Sequence, residues 1–145
     1  MKTKDIFTDE NRKKVRDAIA QAESVTSGEI RVFVDDRCKG SELDHAATVF
    51  EKLGMHKTEA RNGILFYLSV QDRKFAIIGD AGIHAKVHDA FWQEVRDGML
   101  EEFKRGDLIH GLELGIRQAG NAMSTYFPRA GDDRNELPDT IVFGP

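Results

Sequence analysis

The chain has 145 residues, 40% of them apolar and 32% charged, an ordinary composition for one soluble domain with a single sizeable core. Its formal net charge of −4, with no dense basic cluster, argues against a nucleic-acid binder. Cys38 is the only cysteine, which excludes an internal disulfide and any need for an oxidising compartment.

Thr8 or Asp9 can cap a first helix over about residues 9–24, where Val15, Ala18, Ile19 and Ala22 share one side at helical spacing. Ser27-Gly28 breaks that pattern. Glu29 to Val34 then alternates, with Ile30, Val32 and Val34 on one face, and reads as a strand. Ser41 opens a second helix with the stripe Leu43, Ala46, Ala47, Phe50 and Leu53. Asn62-Gly63 is a turn signal before GILFYLSV, a run apolar on both faces as a central strand would be. Gln71-Asp72-Arg73 is short enough for a hairpin into KFAIIGD, so the second and third strands should be antiparallel. The first two strands are joined through a helix and should be parallel, by a right-handed crossover.

After Gly82, the residues Val87, Ala90, Phe91, Val95 and Phe103 mark a third helix, with a kink expected at Asp97-Gly98. Asp107 starts a fourth, whose stripe is Leu108, Leu112, Ile116, Ala119 and Met123, and Pro128 stops it near Phe127. These elements predict an α/β fold: a three-layer α/β/α sandwich, with a small mixed sheet flanked by about four helices, over residues 1–128. Residues 129–145 form a polar C-terminal tail in which Ile141-Val142-Phe143 suits a short edge strand. The opening stretch, MKTKDIFTDENRKK, lacks the apolar core of a signal peptide, and no later run approaches the roughly 20 apolar residues of a membrane span. A cytoplasmic protein without a membrane span is therefore expected.

Three segments in order, SGEIRVFVDD, RNGILFYLSVQDRKFAIIGDAGI and FKRGDLIHGLELGI, resemble the TPM domain family over about residues 10–127. That family includes thylakoid-lumen proteins linked to photosystem II repair and many bacterial proteins. The resemblance implies a compact α/β/α sandwich, binding of divalent cations such as calcium, and phosphatase activity in some members. Two departures bear on any ligand set. Arg61 stands where the family pattern carries an acidic residue before Asn-Gly, and Gly79-Asp80-Ala81-Gly82 replaces a glycine-aromatic-glycine turn.

Because the hairpin reverses the chain, the end of the third strand returns beside the starts of the first two. Glu29, Asn62 and Asp80 should meet at that edge, and Asp107 begins a helix that can approach it. These are hard oxygen donors of the kind calcium or magnesium takes, and Gly79 and Gly82 would let the backbone bend closely around an ion. Asp80, Asn62, Glu29 and Asp107 are thus the candidate metal ligands. Set against this, Asp80 can cap the next helix, Asn62 can make the turn, and Glu29 can be solvated. At the opposite edge, Asp35, Asp36 and Asp72 suit a solvated loop better than a second site.

His84 and His88 lie one helical turn apart and could bind zinc together with a third ligand such as Asp80 or Asp89, but HExxH is absent, so a polar helix face is expected. Cys38 has Asp44 rather than arginine six residues on, and two aspartates beside it, which disfavours a nucleophilic role. Phosphate-loop, dinucleotide, aspartyl-phosphatase and serine-elbow patterns are absent. The expected function is a cation-binding module with a divalent cation, and a protein, as its partners. The alternative is a metal-assisted phosphomonoesterase.

Overall fold

The computed structural model describes residues 2–129 and 141–144. One helical turn, α1 (Thr3–Ile6), leads into α2 (Asp9–Glu23), β1 (Glu29–Asp35), α3 (Glu42–Lys52), β2 (Gly63–Ser69) and β3 (Lys74–Gly79). There follow α4 (Ala81–Lys104), α5 (Leu108–Tyr126) and β4 (Ile141–Phe143). The strands lie in the order β3-β2-β1-β4, with β1 parallel to both β2 and β4 and antiparallel pairing between β2 and β3. Helices cover both faces of this mixed sheet, which makes the expected three-layer α/β sandwich.

The helix starts follow from side chains that can satisfy orphan backbone donors. Thr8 accepts from Asn11 N, Ser41 from Asp44 N, Asp80 from Ala81 N, and Asp107 from His110 N. Strand alternation then divides the core in two. Ile30, Val32 and Val34 of β1 and Ile64, Phe66 and Leu68 of β2 face the larger core, with Val15, Ile19, Met99, Leu112 and Ile116 from α2, α4 and α5. Leu65, Tyr67 and Ala76 face α3, against Ala46 and Phe50, with Met55 and Cys38 closing that smaller core. All seven residues of β2 are buried, so each large apolar side chain there contributes about 1.5–3 kcal/mol of transfer free energy.

Two expectations need correction. Leu43 and Ala47 do not belong to the α3 stripe, nor Ala90 to that of α4: all three are exposed, Leu43 by 55% on the first turn of its helix. The break in α4 falls at His88, whose backbone takes φ 61° and ψ −179°, and the helix runs unbroken through Gly98. One glycine costs a helix about 1 kcal/mol, which packing on both sides tolerates. The glycines of α5 thin that helix so that its neighbours approach: a Cβ on Gly120 would lie 2.7 Å from Ala22 Cβ on α2. Among the described residues, no helix is long and apolar enough to cross a membrane.

Candidate functional site

The register places Glu29 beside Gly63 and Ile64 beside Gly79, so the start of β1, the start of β2 and the end of β3 do share one end of the sheet. Asp80 continues the last ladder, its N–H donating to Gly63 O at 2.9 Å. Its residue is 7% exposed. Both carboxylate oxygens are engaged by Arg61, whose Nε donates to Oδ2 and Nη2 to Oδ1, each at 2.7 Å. Oδ1 also accepts from Ala81 N at 2.8 Å, which caps α4.

Burial pushes the Asp80 carboxyl up, but the hydrogen bonds from Arg61 and Ala81, the guanidinium charge and nearby His56 outweigh it. The net effect is a pKa below the usual carboxylate value. The same hydrogen bond and charge raise the pKa of Arg61.

Backbone conformation positions this pair. Arg61 has a left-handed φ of 52°, and its carbonyl accepts from Gly82 N at 2.8 Å and Ile83 N at 3.3 Å. A Cβ on Gly82 would lie 2.1 Å from Ala60 O, so only glycine lets the first turn of α4 press onto this backbone. Gly82 thus makes a close contact between helix and loop. Gly79 faces the Trp92 ring.

The other candidates do not join Asp80. Glu29 is buried and lies 3.6 Å from Arg31 Nη2, and Arg31 also reaches Glu23 Oε2 at 3.3 Å. Strand parity puts Asn62 on the face of Ile64 and Phe66, whereas Asp80 follows Ala76 and Ile78 on the opposite face. Asn62 accordingly donates from Nδ2 to Ser27 Oγ at 3.2 Å.

Asp107 lies elsewhere altogether. The far end of α5 holds the start of β1, where Ser27 N donates to Phe127 O at 3.0 Å. Nineteen residues at 1.5 Å each place Asp107 about 29 Å away, in a groove with Asp5, Ile6 and Asn11. Helix direction, which sequence periodicity does not encode, is the reason for this miss.

At the other end of the sheet the carboxylates are again individually partnered. Tyr67 donates to Asp35 Oδ2 at 2.7 Å, and Thr3 donates to Asp36. Asp72 accepts from Cys38 N and from Ser69 Oγ, and Lys74 Nζ donates to Cys38 O at 3.3 Å and Gly40 O at 2.8 Å. The Cys38 hydrogen bond leads the causes that hold the Asp72 carboxyl below its usual value. Burial first, then the hydrogen bonds with Asp35 and Cys38, push the Tyr67 hydroxyl well above its usual pKa. Among the described residues, no group of three or more His, Cys, Asp or Glu is arranged to hold a metal ion.

His84 and His88 are both exposed. His84 accepts from Trp92 Nε1 at its Nδ1, 3.0 Å away, and its Nε2 faces Asp89 Oδ1 at 3.6 Å.

Sequence reasoning missed the arginines that answer these carboxylates. One signal was present: Glu29 and Arg31 are two apart in a strand, hence on the same face. The Arg61–Asp80 pair, 19 residues apart, left none.

Comparison with known proteins agrees with this architecture. A sequence model described as the TPM domain matches residues 1–122. The solution structure of the BA42 protein from the psychrophilic bacterium Bizionia argentinensis is similar, with a TM-score of 0.88 and 44% identity, covering 94% of each chain. Two more distant structures share the fold. The N-terminal domain of the cg2496 protein from Corynebacterium glutamicum has a TM-score of 0.66 at 13% identity, over 87% of this chain and 78% of that one. An N-terminal domain from P. gingivalis has a TM-score of 0.69 at 15% identity, over 84% and 79%. No curated protein matches the sequence.

Proposed function

This chain belongs to the TPM domain family, and from that premise we propose that it is a binding or assembly module which takes a divalent cation, calcium or magnesium, at Asp80 in exchange for Arg61. The observation that carries the reading is the asymmetry of the pair. The Asp80 side chain is only 6% exposed, whereas its counter-ion, the Arg61 side chain, is 51% exposed and has solvent to swing into.

The donor set fits a single-carboxylate exchange site, not a cage. Asp80 supplies two oxygens once the guanidinium leaves. Glu29 stays with Arg31, and Asn62 points to the other face. A hard cation held by one carboxylate and solvent suits the weak end of calcium affinities, around 10⁻⁴–10⁻³ M. In this reading Asp80 binds, Gly82 and the Arg61 carbonyl hold the loop against α4, and Arg61 keeps the carboxylate neutralised when no cation is bound.

Calcium titration followed by amide NMR tests it in three proteins. Wild type should shift around residues 79–84, Asp80→Asn should not, and Arg61→Ala should bind several-fold tighter because its competitor is gone. Shifts confined to the Asp35, Asp36 and Asp72 end would refute the placement, as would an Arg61→Ala variant no tighter than wild type.

The alternative, a metal-assisted phosphomonoesterase, has one observation behind it: the family name attached to the matching model includes the word phosphatase. Its chemistry would need a polarised phosphate and an activated water. Hydrolysis of a chromogenic phosphate ester that is lost on chelation and in Asp80→Asn would favour it. Activity surviving both would exclude the mechanism.

A further inference from the structure

The outer edge of β1 is covered by a segment from the other end of the chain. Residues 141–143 run parallel to β1 in the register Val32 with Ile141, Phe33 with Val142 and Val34 with Phe143. Gly144 N extends the ladder by donating to Val34 O at 2.8 Å. The TPM match ends at residue 122, before this strand begins. The walls of the edge come from residues 7–35, and its occupant from residues 141–144.

Three positions of the occupant are read by its surroundings. Ile141 is 8% exposed and enters the larger core. Phe143 packs edge-to-face on Phe7, ring centroids 5.6 Å apart at 80°, and the Arg12 guanidinium lies 4.6 Å from its ring centroid. Gly144 is selected by space: a Cβ there would sit 1.8 Å from Asp35 Oδ1, and Asp35 is held in place by Tyr67. Alternate side chains fill pockets, backbone groups complete a ladder, and one position lies tight against the Asp35 carboxylate. That is how strand-addition grooves recognise peptides.

We infer that the outer edge of β1, walled by Phe7, Arg12 and Asp35, is an acceptor groove for extended protein segments of the form apolar-x-apolar-Gly, occupied in this chain by its own residues 141–144. A partner presenting such a segment competes with the cis occupant. Covalent attachment gives the cis segment an effective concentration of about millimolar, so at modest intrinsic affinity the self-occupied chain should bind a free peptide roughly tenfold more weakly than a chain whose own strand is released.

The test uses the full chain and a fluorescent peptide covering residues 138–145. Gly144→Val introduces the clash with Asp35, and Phe143→Asp removes the ring contact; neither replaces a residue of β1, β2 or β3. Amide NMR at Val32 and Val34 reports release of the cis strand, and unchanged β2 and β3 amides report an intact fold. The expected result is that whichever variant releases its strand binds the peptide about tenfold tighter than wild type. The peptide with Asp in place of Phe143 should not bind. A released variant that ignores the peptide, or takes the altered peptide equally well, overturns the inference. So does an edge that stays occupied in both variants, which would make β4 a fixed part of the fold.

Discussion

Replacing Asp80 separates its two structural duties. As the first cap of α4 its carboxylate accepts from Ala81 N at 2.8 Å, and as the partner of Arg61 it accepts two further bonds at 2.7 Å. Loss of a capping side chain to alanine costs about 1 kcal/mol, within a range of roughly 0.5–2. The ion pair is bidentate, but its arginine is half exposed, so solvent screening limits it to about 1 kcal/mol or less. Asp80→Ala should therefore lose about 2 kcal/mol, and a chain of this length should melt roughly 4–8 °C lower. Asp80→Asn keeps a capping oxygen and drops the charge, and Arg61→Ala keeps the cap and drops the partner. Each should cost about 1 kcal/mol or less.

The pH dependence carries a definite sign. The folded carboxyl titrates below its unfolded value, so the stabilisation is present above about pH 4 and is lost as pH falls through the folded pKa. Chemical denaturation of wild type, the three variants and the Asp80→Asn, Arg61→Ala double mutant gives the cycle directly. If Asp80→Asn were as damaging as Asp80→Ala, or if Arg61→Ala were the most damaging of the three, this division between cap and ion pair would be wrong.

Other positions give equally direct tests. Gly82→Ala places a methyl 2.1 Å from the Ala60 carbonyl, so despite alanine's better helix propensity it should destabilise by about 2 kcal/mol or more in thermal melts. His110 lies 3.0 Å from Glu102, whose hydrogen bond and then charge raise the imidazole pKa. The contribution of this pair is fully present below the unfolded histidine pKa of about 6.5 and is lost as pH rises through the higher folded value. Glu102→Gln should lower the His110 pKa read by NMR and flatten the melting temperature between pH 6 and about 8; an unmoved titration would refute the pairing. Tyr67→Phe strands the Asp35 carboxylate without its buried donor and should cost about 1–3 kcal/mol in urea denaturation. Cys38, 3% exposed, should react with a thiol reagent only through opening of the fold, so labelling should accelerate in denaturant and not in calcium.

The elements were legible where one face repeats. Val15 and Ile19 on α2, and Leu112, Ile116 and Met123 on α5, are all fully buried, because a helix with one apolar stripe has a single way to hide it. The doubly apolar β2 had to be central, and its short hairpin to β3 had to be antiparallel. Errors arose where local pattern and packing part company. Leu43 has helical spacing but lies on a first turn that α3 leaves in solvent. The α4 break at His88 has no glycine or proline to announce it.

The candidate site divides in the same way. That Glu29, Asn62 and Asp80 share one end of the sheet follows from strand order alone, since chain reversal in a hairpin is a local event. Whether their side chains meet depends on pleat parity and on partners distant in sequence. Parity turns Asn62 to the other face, Arg31 claims Glu29, and Arg61 reaches Asp80 from 19 residues away through a left-handed backbone and a glycine contact. By itself the sequence determined the α/β layers, the strand directions and the helix caps, because periodicity and capping act within a few residues. Only the tertiary structure decided which charge neutralises which, because Coulomb partners and close contacts are chosen by proximity in space.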